Sequence, residues 1–429
     1  MSAPVTRPAS DPQPARRLAV LRDGNARLLV SGQLASQVCD RMALVGILWF
    51  LTATAGEVLV PWYIAAGGLP HLVLTWRSGR VINALGALRV VVWADLLRGV
   101  LYLAAAGLVG LLPHGADIAV LFALTLLGNM GAALFNPAML ALPVRLAPTG
   151  AYRPNQLTAL LNSCVATGNI LGPALAALVY KAGGLDAVLA ITGAAYLTAG
   201  TIERLVRMPP RTAEAAPRPA GQAAAGFALA RRYPLVGSML AVLLAINLCL
   251  GPITLFIPLF ANTEFTGGID ALAWLQSSMG AGMIAGSLAM ASLTLSGSRR
   301  VRIAVPVVLT AACYLGFTLA PSLPVACLLL VGLGLAMSAG NVGIIGVFQS
   351  EPDEADVPAV MATVNLIGVA SLPVSMAAMG ALITHVPATS VAIGCAATAL
   401  AVSFLTPFIP GLNETPEPRA ETRSGKTRL

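Results

Sequence analysis

Four charged residues lie within long apolar runs of the sequence, where a charge is costly. Asp40 and Arg41 are adjacent in the first run, and Asp95 and Arg98 are three residues apart in a later one. A charge at the centre of a hydrocarbon layer costs at least about 2.5 kcal/mol on insertion scales, so such residues usually face a cavity or a partner. A carboxyl group in a poorly hydrated cavity can load and release a proton. Asp40 is therefore our leading candidate for a proton carrier, and Asp95 is the second.

The same side chains also have structural interpretations. Asp40 could pair permanently with Arg41 or Arg98 and only hold helices together. Asp95 and Arg98 share a helical face, and an ion pair nearer the membrane surface more often serves a gate or the structure than proton transfer. Arg41 and Arg98 could instead bind an anionic group of a substrate, because a guanidinium forms bidentate contacts with carboxylates. His71 could titrate near neutral pH, or simply hydrogen-bond a neighbouring helix.

The elements that must position these residues are transmembrane helices. Of the 429 residues, 57% are hydrophobic and only 10% are charged, whereas about a quarter are charged in an ordinary soluble domain. The apolar segments are continuous runs of about 20 residues, the length that crosses the hydrocarbon core, and they do not alternate as barrel strands do. We expect an all-α membrane protein.

Apolar runs and breaks predict twelve spans in two sets of six. The first set covers residues 28–52, 57–78, 88–111, 117–140, 156–181 and 185–206. The second set covers residues 235–261, 270–296, 302–321, 324–349, 357–383 and 388–409. The predicted parts of the chain are an N-terminal tail (1–27), a first bundle (28–206), a linker (207–234), a second bundle (235–409) and a C-terminal tail (410–429). The linker contains PPRTAEAAPRPAGQ, a composition that cannot bury a core and predicts a flexible connection.

Basic residues are concentrated in the loops on one side of this arrangement. They are Arg7, Arg16, Arg17, Arg22, Arg27, Arg80, Arg145, Arg153, Arg211, Arg218, Arg231, Arg232, Arg299 and Arg300. Lys181 is the only Lys or Arg in the opposite loops. This positive-inside pattern predicts a bacterial inner-membrane protein with both termini cytoplasmic. The net charge of +8 therefore does not indicate nucleic-acid binding.

The two halves repeat each other in short sequence features. Pro148 and Pro154 have the same separation as Pro352 and Pro358, and AITGAA at 190–195 is similar to AIGCAA at 392–397. Both matches are offset by about 200 residues, which indicates an internal duplication. Transporters built from repeats place the substrate path between the halves, near the middle of the membrane.

Seven segments, in their order and spacing, carry a family resemblance. They are GQLASQVCDR (32–41), Leu69-Pro70, WADLLRG (93–99), FNPAMLALPVRLAP (135–148), ILGPALA (170–176), RRYPL (231–235) and GPITLFIPLF (251–260). Over nearly the whole chain, the sequence resembles the major facilitator superfamily. Within it, the chain is similar to proton-driven exporters such as macrolide efflux proteins and enterobactin-type siderophore exporters. The resemblance implies two pseudo-symmetric six-helix bundles.

The resemblance also implies two gating motifs. After the second span, Gly79, Gly86 and Arg89 match the superfamily loop motif, but Asn83 stands where an aspartate is expected, which weakens a charge relay at the gate. In the fifth span, Gly168 and Gly172 match the antiporter motif of such exporters.

Proline residues add further breaks to the spans. Pro173, also in the antiporter motif, removes a backbone donor and favours a kink, although ordinary small-residue packing explains this motif equally well. In the seventh span, Gly251 and Pro252, with Pro258 further on, break the helix and predict a moving gate.

These features favour secondary active export. The sequence has no phosphate-binding loop, catalytic nucleophile or metal motif, and its six cysteines stand alone in apolar stretches. We therefore expect no cofactor and no enzyme activity. The predicted function is proton antiport of an amphipathic small molecule, a siderophore or a macrolide-like drug, with protons, substrate and membrane lipid as partners. The alternatives are a lysophospholipid flippase or an uncoupled facilitator of the same fold and, from other classes, a membrane-embedded enzyme or a receptor.

Overall fold

The computed structural model describes residues 18–412, apart from 57, 110, 113–114, 147–151, 153, 209–221, 266, 293–297, 354–355 and 410–411. Several predictions fall outside the described residues: most of both tails, much of the linker, and some loop positions. These positions are Arg7, Arg16, Arg17, Pro148, Arg153, Arg211 and Arg218.

The described chain is almost entirely α-helical. Its helices are α1 (Gly24–Thr54), α2 (Leu59–Leu85), α3 (Ala87–Leu108), α4 (Ala116–Leu146), α5 (Pro154–Arg204), α6 (Gln222–Arg232), α7 (Pro234–Leu250), α8 (Ile253–Thr263), α9 (Gly268–Ser292), α10 (Arg299–Thr318), α11 (Leu323–Ser350), α12 (Val357–Ile383) and α13 (Ala388–Leu405). Within α5, Gly183 and Gly184 have non-helical backbone angles. We call the parts before and after this break α5a and α5b.

The prediction of an all-α membrane protein is confirmed. Within the part of the chain that the structure describes, nine helical stretches are long and apolar enough to cross a membrane. One of them, Gln156–Arg204, includes the break between α5a and α5b and therefore covers two predicted spans. The seventh predicted span corresponds to α7 and α8 together, because the helix is interrupted at Gly251 and Pro252. The short helix α6 lies within the predicted linker.

Caps and glycines fix where several helices begin and end. The Asp23 side chain accepts a hydrogen bond of 2.8 Å from the backbone N–H of Ala26 and so caps the start of α1. Gly86 joins α2 to α3 with φ of +90°. Only glycine adopts that conformation without strain, so this turn has a specific need for it. Asn83, three residues earlier, is still part of α2.

The hydrophobic core is shared by both halves at one end of the molecule and divided at the other. We call the end where α1 and α7 begin the linker face, and the end where α1 and α8 end the far face. Near the far face, Leu48 and Leu51 of α1 belong to the same buried cluster as Phe256 and Phe260 of α8. Near the linker face, one cluster consists of first-half residues only and another of second-half residues only. The two halves are therefore packed together towards the far face.

Besides the contacts of α1 with α8 and α9, two larger helix pairs join the halves. The helix α5a packs against α9, where a Cβ added to Gly280 would lie 2.7 Å from the carbonyl oxygen of Asn169. The Ser277 hydroxyl of α9 donates a 2.9 Å hydrogen bond to the Ile170 carbonyl. The second pair is α2 and α12. At the far face, Lys181 of α5a forms an ion pair with Asp270 of α9.

Among the described residues, the ion pairs at the linker face lie within the second half. Arg232, at the end of α6, contacts Asp353 at 3.0 Å and Asp356 at 3.2 Å, in the loop before α12. The Tyr233 hydroxyl donates to the same two carboxylates, and partial burial raises the pKa of Tyr233. The basic end of α6 therefore neutralises an acidic loop that has no basic residue of its own.

Candidate functional site

A polar cavity of about 210 Å³ lies within the first half of the molecule. Its wall consists of Ser36, Gln37, Asp40, Arg41, His71, Arg98, Asn129, Ala132, Phe135, Asn136 and Tyr196. These residues come from α1, α2, α3, α4 and α5b, and nine of the eleven are polar. A polar cavity surrounded by apolar helices is the arrangement that retains charged side chains at membrane depth.

Tyr196 connects the acid and the base that face this cavity. Its hydroxyl donates a 2.5 Å hydrogen bond to Oδ1 of Asp40 and accepts a 3.0 Å bond from Nη1 of Arg98. The Arg98 guanidinium also lies over the ring of Phe135, at 4.7 Å from its centroid. Asp40 makes no ion pair within 4 Å with Arg98 or Arg41, so the direct pairing that the sequence allowed is not formed. We call Asp40, Tyr196 and Arg98 the upper layer.

Asp95 is buried beside this layer and does not line the cavity. Its side chain is fully buried, and Oδ1 lies 3.9 Å from Nη1 of Arg98, which is a long ion pair between residues i and i+3. Neither carboxyl oxygen of Asp95 accepts a hydrogen bond within the described part of the chain. The predicted proximity of Asp95 and Arg98 is present, but Arg98 makes its shorter contact with Tyr196.

Glu203, which the sequence analysis missed, lies on the linker-face side of the upper layer. Its side chain is fully buried, and Oε1 accepts a 2.8 Å hydrogen bond from Nε2 of Gln33. The Glu203 carboxyl interacts electrostatically with the Asp95 carboxyl on the neighbouring helix α3. We call Asp95, Glu203 and Gln33 the lower layer.

The sequence analysis also missed Tyr196, although the sequence contains a signal for both Tyr196 and Glu203. Glu203 is close to the end of its predicted span, where an acid is normally exposed, and Tyr196 is a single tyrosine in an apolar run. However, Tyr196 and Glu203 are seven residues apart, as are Gln33 and Asp40. Side chains at this separation lie on one face of a helix, two turns apart. The paired spacing on α1 and α5b therefore aligns the two layers.

Arg41 and His71 line the cavity in different ways. Arg41 forms no hydrogen bond or ion pair with the described residues, although its Nε atom is buried. Nε2 of His71 lies 3.3 Å from Oδ1 of Asn129. The Asn129 amide nitrogen donates to the Thr125 carbonyl at 2.8 Å, which orients the amide oxygen towards the histidine. Arg41 is thus the cation of the cavity that remains available to a ligand.

The glycines of the antiporter motif pack against the helix that carries Asp40. A Cβ added to Gly168 would lie 2.7 Å from the Gln37 carbonyl oxygen. At Gly172 it would lie 3.0 Å from the backbone nitrogen of Met42 and would also clash with the Cβ of Arg41. These glycines allow α5a to approach α1 closely, while Pro173 follows inside α5a without ending the helix.

The loop motif after α2 does not belong to the cavity. Gly79 and Asn83 lie in the last turns of α2, Gly86 forms the turn, and Arg89 is exposed at the start of α3. All four are at the linker face. Their predicted role in gating remains a prediction.

The break between α7 and α8 is compensated by the neighbouring helix. Pro252 has no N–H to donate to the carbonyl of Leu248, four residues earlier. The Ser375 hydroxyl of α12 donates a 2.6 Å hydrogen bond to that carbonyl instead. A broken helix is tolerated in a membrane where such partners exist. Pro258 lies inside α8 and does not interrupt it.

Comparisons with known proteins agree with the fold. The sequence matches the family described as the Major Facilitator Superfamily over residues 29–371. A search of curated proteins found no significant relative. Among solved structures, the chain is similar to a D-xylose-proton symporter, with a TM-score of 0.69, 14% identity, and coverage of 91% of this chain and 99% of that one.

Two further solved structures have similar folds. The first is a bacterial homologue of the human lysosomal transporter Spinster, in an inward-facing and unoccupied conformation, with a TM-score of 0.64 and 14% identity over 95% of this chain and all of that one. The second is the nucleoside transporter NupG, with a TM-score of 0.70 and 14% identity over 90% of this chain and 99% of that one. At this identity the likeness concerns the fold alone.

Proposed function

Because the chain belongs to the major facilitator superfamily, we propose that it is a secondary active transporter that exports an amphipathic small molecule by proton antiport. Membership of this family makes the chain a multi-pass membrane transporter rather than an enzyme. The direction of transport, the coupling ion and the substrate are our proposals. The observation that carries them is the position of Asp40 in the polar cavity, bound to Tyr196 and not to a base.

The contacts of Asp40 suit a group that gains and loses a proton. Ionised Asp40 accepts the short hydrogen bond from Tyr196, and a protonated carboxyl can donate instead of accepting. A permanent ion pair with Arg41 or Arg98 would hold Asp40 in its ionised form. No such pair exists within 4 Å, so no cation holds the Asp40 carboxylate directly. Proton binding at Asp40 would then change the charge that the cavity presents to a substrate.

The packing of the two halves supports alternating access. They share one core at the far face and have separate cores at the linker face. Opening towards the far face must separate Lys181 from Asp270 and the shared cluster around Leu51 and Phe256. Rocking of two repeats around a central site is the usual route of transport in folds of this kind.

The cavity wall favours a substrate with an acidic or phenolic group. Arg41 is available for such a group, whereas Arg98 is already bound by Tyr196 and Asp95. Phe135 and Ala132 provide a small apolar surface next to the polar residues. Of the two substrate classes that the sequence suggested, an anionic siderophore fits this wall better than a cationic macrolide.

We assign the linker face to the cytoplasm of a bacterial cell. The described basic residues of the loops support this orientation: Arg22, Arg80, Arg145, Arg231 and Arg299 are at the linker face. At the far face, Lys181 is the basic residue of the described loops. By the positive-inside rule this orientation gives cytoplasmic termini, and we propose the bacterial inner membrane as the location.

The proposal can be tested in proteoliposomes with an imposed pH gradient. Enterobactin and a macrolide would be the probes, measured separately with wild-type protein, Asp40→Asn and the control Asp186→Asn, whose aspartate is exposed at the far face. We expect the gradient to drive uphill transport of one probe by wild type and control, and at least a tenfold loss in Asp40→Asn. Exchange of labelled for unlabelled probe should survive in that variant.

Three results would contradict this proposal. Undiminished gradient-driven transport by Asp40→Asn would remove Asp40 from the coupling role. Transport by the wild type at a rate that does not depend on the pH gradient would favour an uncoupled facilitator. Transport of lysophospholipid in place of either probe would favour a flippase.

A further inference from the structure

The lower layer contains two carboxyl groups that have too few hydrogen-bond donors. Asp95 and Glu203 are both fully buried, on α3 and α5b. Gln33 donates one hydrogen bond to Oε1 of Glu203, but Oε2 of Glu203 and both oxygens of Asp95 accept none from the described residues. Buried polar atoms normally have partners. Three unpartnered acceptors in one place therefore need a physical explanation.

A proton shared between the two acids provides that explanation. An ionised carboxylate can only accept hydrogen bonds, whereas a protonated carboxyl can also donate one. The helices α3 and α5b pack closely beside both acids, because a Cβ added to Gly200 of α5b would lie 3.0 Å from the Leu96 side chain of α3. The Asp95 and Glu203 carboxyl groups interact electrostatically across this contact. Two carboxylates that share a buried site cannot both ionise cheaply, and one proton between them converts repulsion into a hydrogen bond.

The balance of charges around the pair favours the binding of one proton. The titratable and charged groups that act on it are Arg98 on α3, Asp40 on α1 and Tyr196 on α5b. Arg98 is the single cation among them, and it also serves the upper layer through Tyr196. If Asp40 is ionised, one guanidinium already balances one carboxylate, and a doubly ionised pair would add two uncompensated charges.

We propose that Asp95 and Glu203 form a second proton site, which binds one proton between the two carboxyl groups. The O–H of one acid donates to an oxygen of the other, and Gln33 donates to Glu203. Because the two acids are strongly coupled, the proton belongs to the pair and not to one residue. On release, the O–H bond breaks, the electron pair stays on the carboxylate, and the proton passes to water at the linker face.

The pair lies between the cavity and the linker face, and this position suits it to couple the two. Gln33 and Asp40 are seven residues apart on α1, or about 10 Å along the axis at 1.5 Å per residue. Arg98 contacts both layers, so loss of the shared proton would draw Arg98 towards Asp95 and weaken its bond to Tyr196. The pair would then couple the charge on Asp40 to whether the linker face is open or closed. This role, unlike the proton site itself, rests on the proposed proton antiport.

Infrared difference spectroscopy tests the site without any transport assay. Purified full-length protein in lipid nanodiscs would be measured at neutral pH, with the carbonyl stretch of protonated carboxyl groups as the readout. We expect a band that is lost in Glu203→Gln and, independently, in Asp95→Asn. It should persist in Glu264→Gln, which changes an exposed glutamate at the far face. Glutamine at position 203 can still bond Gln33, so folding should be preserved.

The result is independent of whether protons drive transport. A band that disappears in both variants supports the pair even if a pH gradient fails to drive export by wild type, an outcome that would contradict only the proposed function. Absence of the band from wild type, or its persistence in both variants, would overturn the shared proton. A band lost in one variant alone would also overturn it, because the proton would then belong to a single residue.

Discussion

Breaking the Lys181–Asp270 ion pair should shift the protein towards a state that is open at the far face. This pair joins α5a to α9 across the two halves, and its side chains are 57% and 49% exposed. Exposed ion pairs contribute about 0.2 to 1 kcal/mol because solvent screens the charges. If the pair exists only in the closed state, its loss changes the ratio of the two states by about 1.4- to 5-fold.

Pulsed electron resonance between spin labels can measure this ratio. Spin labels at Thr54 and Leu319 would report the separation of the two halves at the far face, since both positions are exposed there. The native cysteines of the labelled protein would first be replaced. Lys181→Met and Asp270→Asn should each increase the population at the longer distance by that factor. The double variant should add little to either, and high salt should reduce the difference from wild type.

A matched pair within one half provides the control. Arg299 contacts Glu351 at 2.9 Å on the linker face, and both belong to the second half. Glu351→Gln should leave the distance distribution unchanged. An unchanged distribution in Lys181→Met and Asp270→Asn as well, or a shift equal to that of Glu351→Gln, would refute the view that the far-face pair stabilises the closed state.

Two other substitutions test the packing of the site. Tyr196→Phe removes both hydrogen bonds that link Asp40 to Arg98. A hydrogen bond to a charged group contributes about 1.5 to 3 kcal/mol. Thermal unfolding in detergent should therefore show that the free energy of unfolding falls by at least about that amount. Unchanged stability would contradict the bridging role. Gly172→Ala should destabilise the protein by about 1 to 3 kcal/mol, because the new methyl group overlaps α1. Gly394→Ala, at a helix position with open space, should be neutral or stabilising, and equal effects of the two would refute the close-packing argument.

The fold followed from the sequence because hydropathy alone determines which segments enter a membrane. Continuous apolar runs predicted the helices, and the break predicted between residues 181 and 185 lies at the glycine pair 183–184. The break at Gly251 and Pro252 was predictable, since proline removes a backbone donor. Its compensation by Ser375 was not, because that contact joins residues 127 positions apart.

The candidate site was predictable only in part. Asp40 and Arg98 were found because charges are rare in apolar runs. Their connection through Tyr196 depends on the packing of α1, α3 and α5b, which residue types do not specify. Glu203 was overlooked because a glutamate near the end of a span is normally exposed. Here Glu203 is fully buried, and Gly32 allows α1 to approach the glutamate side chain closely.

Proton movement driven by a substrate gradient tests the central claim most directly. Proteoliposomes that contain a pH-sensitive dye and wild-type protein would receive an inward gradient of the probe that the protein transports. Proton antiport predicts that the lumen becomes more alkaline as substrate enters and protons leave, and that Asp40→Asn abolishes this change while substrate exchange continues. Substrate entry in wild type without a change in luminal pH would contradict the account.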